Sequence, residues 1–153
     1  MNLKGTYTLP SSAQIIWNKL MDTDTLAKIT PGISKLEETG PDQYKAIAEV
    51  KMGPVNGSFT GGLNISDKSE PESFTLHVKQ NSKIGNVSAD IKINLKSLSA
   101  DQTEVSFNGK AKLSGLLART GQRVLSGVSN TLSKQFFKAL EKEIGEASDK
   151  PLS

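Results

Sequence analysis

The amino-acid sequence predicts an α+β fold: a curved antiparallel sheet of about seven strands, with two short helices after strand 1, gripping one long C-terminal helix. Three observations carry this. Apolar and polar residues alternate with period two from Ile33 to Leu113, the mark of antiparallel strands with one face in the core and the other in water. From Ser114 to about Gly145 the period becomes that of a helix: at 100° per residue Leu117, Gly121, Val124, Leu125, Val128, Leu132, Phe136, Ala139, Leu140 and Ile144 share one arc, and Phe137 points away from it. Roughly 30 residues at ~1.5 Å each make a rod of about 45 Å, and a one-faced rod of that length needs an apolar surface to lie on. Third, the turns between successive alternating runs are short, which makes the sheet a meander.

The elements follow in order. Leu3, Gly5, Tyr7 and Leu9 alternate in a first strand that Pro10 stops. Ser11 to Gln14 has the Ser-x-x-Gln form of a capping box, with Ser11 as cap of a short helix carrying Ala13, Ile16, Trp17 and Leu20 on one face. Asp22 or Thr23 caps a second helix with Leu26 and Ile29, ended by Thr30-Pro31-Gly32. A short strand from Lys35 to Thr39 turns at Gly40-Pro41-Asp42. The next strand places Tyr44, Ala46, Ala48, Val50 and Met52 on one face, and Gly53-Pro54 breaks it. Then come Val55, Gly57, Phe59, Gly61, Leu63 and Ile65; Phe74, Leu76 and Val78; Val87, Ala89, Ile91, Ile93 and Leu95; and Val105, Phe107, Gly109, Ala111 and Leu113. A hairpin turning at Ala100-Asp101 sets Lys96 opposite Glu104 and Asp90 opposite Lys110, ordinary cross-strand pairs.

A chain of 153 residues fits one domain, read as residues 1–147 with 148–153 as a flexible C-terminal tail. No apolar run approaches the ~18 residues of a membrane span and no leader-like segment opens the chain, so the expectation is a soluble cytoplasmic protein. The absence of cysteine excludes disulfides, thiolate nucleophiles and sulfur-ligated metals. A net charge of +3, dispersed lysines and few aromatics argue against nucleic-acid binding.

Leu9-Pro10 with Trp17 seven residues on, Thr30-Pro31-Gly32, Gly40 to Tyr44, Val50-Lys51-Met52-Gly53-Pro54-Val55, Phe59-Thr60-Gly61 and the Leu117 to Val124 stretch around Gly121 together carry a resemblance. In these the chain resembles the START-like (SRPBCC) helix-grip superfamily and, within it, the carbon monoxide dehydrogenase CoxG family. The Pro-Gly element followed some twenty residues later by Lys-x-Gly-Pro-Val is the more specific part. Two departures stand out: the usual glycine-rich segment before the sixth strand is here Asn81 to Asn86 with one glycine, and the hydrophobic or basic C-terminal extension of some members is missing. The resemblance implies a cavity between sheet and helix. It also implies an accessory role beside a molybdenum hydroxylase such as carbon monoxide dehydrogenase, linking it to the quinone pool through transient contact at the inner membrane surface.

The inward face is poor in chemistry. It offers Tyr44 and Gln80 as polar groups, while the single histidine, His77, alternates onto the outer face and reads as solvated. No His/Asp/Glu grouping has metal-ligand spacing, and Asp22 with Asp24 and Glu37 with Glu38 read as helix-start and strand-edge charges, so no cofactor or metal is expected. What the inner face lacks is bulk: Ala46, Ala48, Gly57, Gly61, Ala89, Gly109 and Ala111 all point inward. Either they let the sheet bend and the helix approach, or they leave a pocket walled by Tyr44, Val50, Met52, Phe59, Phe74, Leu76, Val105, Phe107 and, from the helix, Leu117, Gly121, Val124, Leu125 and Val128. A pocket of ~300 Å³ would cost about 7 kcal/mol if empty, at ~24 cal/mol per Å³. The expectation is therefore a greasy ligand such as a quinone, lipid or isoprenoid, oriented by Tyr44 or Gln80, with access near Ser114 to Gly121 and Thr30 to Gly32 as the opposing lip. Two alternatives remain: a polyketide cyclase-like or hydrolase enzyme built on Tyr44 paired with Gln80, and a filled-core interaction protein docking through the short helices with Arg119 and Arg123.

Overall fold

The computed structural model describes residues 1–149, the side chains after Gly145 excepted. One seven-stranded antiparallel sheet runs in the order β1-β7-β6-β5-β4-β3-β2. Strand β1 (Asn2–Leu9) lies beside the last strand β7 (Gln102–Leu113), and β2 (Ile33–Gly40), β3 (Gln43–Met52), β4 (Val55–Ser69), β5 (Ser73–Ser82) and β6 (Gly85–Ser99) meander back toward it. The registers Lys96↔Glu104 and Asp90↔Lys110 are those the hairpin at Ala100-Asp101 predicts.

Helices α1 (Ala13–Leu20) and α2 (Thr23–Ile29) sit between β1 and β2. α1 buries Ala13, Ile16, Trp17 and Leu20, the predicted face. Its cap differs from the capping-box reading. Ser12, not Ser11, accepts from the Ile15 amide, and the Gln14 amide group donates to Asn18. Ser11 is itself buried, and its carbonyl accepts from the Thr103 hydroxyl at 2.7 Å, so its place is in the core. α2 is capped by Asp22, whose carboxylate takes both the amide and the hydroxyl of Thr25.

The C-terminal rod is not one helix. α3 (Gly115–Arg119) is separated from α4 (Gln122–Asp149) at Gly121, whose φ of +100° an L side chain rarely adopts. Two positions differ from the predicted arc. Val124 is 39% exposed, and Phe137, placed off the arc by an unbroken wheel, is buried. Its ring stacks on Tyr7 at 4.2 Å and lies 6.0 Å from Phe107. Along α4 the inward stripe drifts from Leu125, Val128 and Leu132 to Phe137, Leu140 and Ile144 by roughly a third of a turn, as a helix crossing a twisted sheet requires. α4 continues through Asp149, beyond the start of the tail expected from residue 148; residues 150–153 of that expectation lie outside the described residues.

The interior has two unequal ends. At one, Trp17 meets Phe74 edge-on at 5.6 Å, and Ile16, Leu20 and Ile29 pack with Leu140 and Ile144 against Tyr44, Ile65, Leu95 and Val105. At the other, only Val55, Phe59 and Leu117 form a small buried cluster, with Leu125 and Val128 lying against it.

Candidate functional site

That second end is hollow. A cavity of about 500 Å³, open to solvent, lies between the sheet and the α3–α4 pair. The sheet supplies Ala46, Ala48 and Val50 from β3, Phe59 from β4, Leu76 and Gln80 from β5, and Phe107 from β7. The helices supply Leu117, Leu125 and Val128. All of these are positions that the alternation and the helical arc place on the inner face, and the interior is not filled throughout.

Six residues of the expected wall lie elsewhere. Tyr44, Phe74 and Val105 belong to the packed end, beneath α1, α2 and the last turns of α4. Burial pushes the Tyr44 hydroxyl above the usual phenol range, and its hydrogen bond with Thr23 only partly offsets this. Met52 does not face the cavity, and Gly121 and Val124 are exposed to solvent. The Tyr44–Gln80 pair required for an enzymatic reading is therefore not formed. Sequence reasoning passed over other walls: Leu3 of β1, Ile33 of β2, Val87 and Ile91 of β6, and Ser129, Ser133 and Phe136 of α4. The strand residues among them alternate inward and were legible as such. Of the α4 residues, Phe136 lies on the predicted arc, whereas Ser129 and Ser133 are polar and an apolar arc does not mark them. Thr30 and Pro31 also line the cavity, on the side where a lip was expected.

The small inner residues divide by role. Ala46, Ala48, Ala89 and Ala111 line the hollow, so their missing bulk becomes its volume. Gly61 is different: a methyl group there would run into the backbone of Lys79 and Gln80, so this glycine lets neighbouring strands close up and the sheet bend.

Gln80 is the chemical exception in this wall. It is 9% exposed, and neither its amide nitrogen nor its amide oxygen has a hydrogen-bond partner among the described residues. No ionisable side chain among the described residues lines the cavity, and none of their His, Asp and Glu residues cluster as a metal site. Met1 contributes to the wall as well, with its amino group donating to the Ala111 carbonyl at 3.0 Å. Such walls can exclude water and hold apolar matter.

On the opposite face of the sheet, His77 is not free in solvent. Its Nδ1 lies 2.6 Å from an Asp90 carboxylate oxygen and its Nε2 2.7 Å from the Ser66 hydroxyl. The connectivity is that of nucleophile, base and orienter. The Asp90 side chain is 77% exposed, however, and the Ser66 hydroxyl also reaches Asp67, so the group reads as a cross-strand polar link.

Comparison with known proteins places this geometry. The family model for the carbon monoxide dehydrogenase CoxG subunit matches residues 5–145. A conserved protein from Geobacillus kaustophilus is similar at 31% identity with a TM-score of 0.93, over 96% of this chain and 97% of that one. A START superfamily protein from Mycobacterium smegmatis has a TM-score of 0.76 at 14% identity, over 95% and 98% of the two chains. An aromatase/cyclase from a Streptomyces species has a TM-score of 0.68 at 17% identity, over 94% and 92%. These last two share the START-like helix-grip fold with this chain. No curated protein matches its sequence.

Proposed function

The chain belongs to the carbon monoxide dehydrogenase CoxG family, and on that ground we propose that it binds or carries an apolar molecule in the hollow end of its interior without transforming it. The observation that carries this reading is the cavity. Its volume of about 500 Å³ falls within the ~300–1,000 Å³ of small-molecule sites. A dry void of that size would cost about 12 kcal/mol at ~24 cal/mol per Å³, comparable to the whole stability of a domain. Water against such walls is also unfavourable, so an apolar guest is the state that relieves both penalties. An extended quinone, lipid or isoprenoid suits the shape between sheet and helix.

The family supports an accessory role for a molybdenum hydroxylase of the carbon monoxide dehydrogenase type, with the protein acting on the cytoplasmic side of the membrane. Loading would be by transient contact. Leu116 and Val124 are exposed apolar residues on either side of the α3–α4 break, and Arg119 and Arg123 lie between and beside them, a combination suited to an anionic bilayer surface. Among the described residues no helix is long and apolar enough to cross a membrane. Catalysis of the cyclase or hydrolase kind has no support in the lining, whose side chains hold no acid–base pair.

The test is native mass spectrometry of gently purified protein, followed by organic extraction. A discrete apolar compound released in stoichiometric amount is the expected result. Protein at its apo mass that also refuses a quinone, an isoprenoid alcohol and a phospholipid offered in excess contradicts the proposal.

A further inference from the structure

Gln80 sits on β5 between Gly61 of β4 and Val87 of β6, its direct partners across the sheet. Val78 is two positions before it on the same face, and Ser82, two after, is occupied with the Gly85 carbonyl and the Ile84 amide. Across the cavity stand Leu125, Val128 and Leu132. The other polar side chains of the wall are the hydroxyls of Thr30, Ser129 and Ser133, each only half-buried. A primary amide carries two donor hydrogens and an accepting oxygen. Buried polar groups are nearly always paired, and one left unpaired in a native structure calls for an explanation.

We propose that Gln80 is the specificity determinant of the cavity. It selects an apolar molecule whose buried end is uncharged and both donates and accepts a hydrogen bond, as a hydroxyl or a hydroxy-carbonyl group does. This rests on the ligand-binding reading above. A hydroxyl oxygen accepts from the Nε2 hydrogen while its own hydrogen goes to Oε1, so both orphaned atoms are satisfied by one neutral head. An ether accepts only and leaves Oε1 unpaired. An ionised carboxylate at Gln80 also leaves Oε1 unpaired, and the cation of this wall, the Met1 ammonium, stands three strands away at the start of β1, where it donates to the Ala111 carbonyl. Fatty-acid anions are therefore poor ligands for this site, whereas apolar alcohols and phenols are good ones.

The experiment titrates three probes of equal chain length, 1-decanol, decyl methyl ether and decanoate, into the wild-type protein and into Gln80→Leu and Gln80→Met. The pH is held well above the carboxylate range. The wild type is expected to prefer the alcohol over the ether by about 5- to 10-fold, the worth of one net hydrogen bond plus the orphan it removes. Decanoate is expected to bind at least about tenfold more weakly than the alcohol. In both variants the alcohol-to-ether preference falls to within about twofold while ether binding holds or improves, since only the amide has been removed. An unchanged preference in the variants overturns the proposal, as does decanoate binding the wild type as tightly as the alcohol. If neither the alcohol nor the ether binds wild type or variants, the cavity reading itself has failed and this inference falls with it.

Discussion

Asp22 and Gln80 are polar residues with opposite fates. Asp22 is fully employed. The Thr25 hydroxyl, at 2.6 Å, and then the Thr25 amide, at 3.1 Å, hold its carboxyl below the usual carboxylate range. A carboxylate whose pKa is lowered on folding contributes stability above its unfolded value and loses it as the pH falls through the folded value. Asp22→Ala is therefore expected to lower stability by about 0.5–2 kcal/mol at neutral pH. In urea denaturation the gap from wild type should close in acid, below the carboxylate range. A gap that persists unchanged there would mean that the cap bonds are not its origin. Tyr44 shows what strand alternation leaves open. Its phase places it inside with Gln80, and it is inside. Phase says which face a residue takes, not how far along the strand the docking helices reach, and α2 reaches Tyr44. His77 likewise gains Ser66 and Asp90 only through the register of three strands, which no single run of sequence displays.

Among the elements, the strands were legible almost throughout. Their period of two holds as far as Ile65 in β4 and Leu95 in β6 and is lost over the last four residues of each strand, which are polar or exposed. The C-terminal helices were not. A single wheel runs through Gly121, where a positive φ separates α3 from α4, and it takes one fixed arc for a stripe that drifts along α4, so it misplaces Val124 and Phe137. Gly127, inside α4, faces open space: apart from its own stretch of helix backbone, no atom lies within 4 Å of where a methyl group would stand. Close packing on the sheet therefore does not explain this glycine. Gly127→Ala is expected to stabilise the protein by up to about 1 kcal/mol, the intrinsic helix propensity difference. The check is the urea midpoint at unchanged m-value. Destabilisation would show that the position is tighter than the structure has it.

Taken together, these elements build an interior that is packed at one end and hollow at the other. Trp17, Phe74, Leu140 and Ile144 supply the stabilising core around α1 and α2, which leaves the alanine-lined half free to stay open. The shortage of bulk was visible in the sequence as Ala46, Ala48, Ala89 and Ala111 on one face. Its location was not, because that depends on α3 and α4 spanning the far end of the sheet. Ala48 is the position at which the hollow is most readily probed. It lines the cavity and is only half-buried, so a large side chain there projects into existing space. The measurement is the binding of an apolar alcohol to wild type and to Ala48→Phe, with urea denaturation of both alongside. Saturable, one-to-one binding is expected of the wild type, with a loss of at least about tenfold in Ala48→Phe at near-equal stability, because the ring takes the guest's place. Equal affinity in the two proteins, both folded, would contradict a binding site in this cavity.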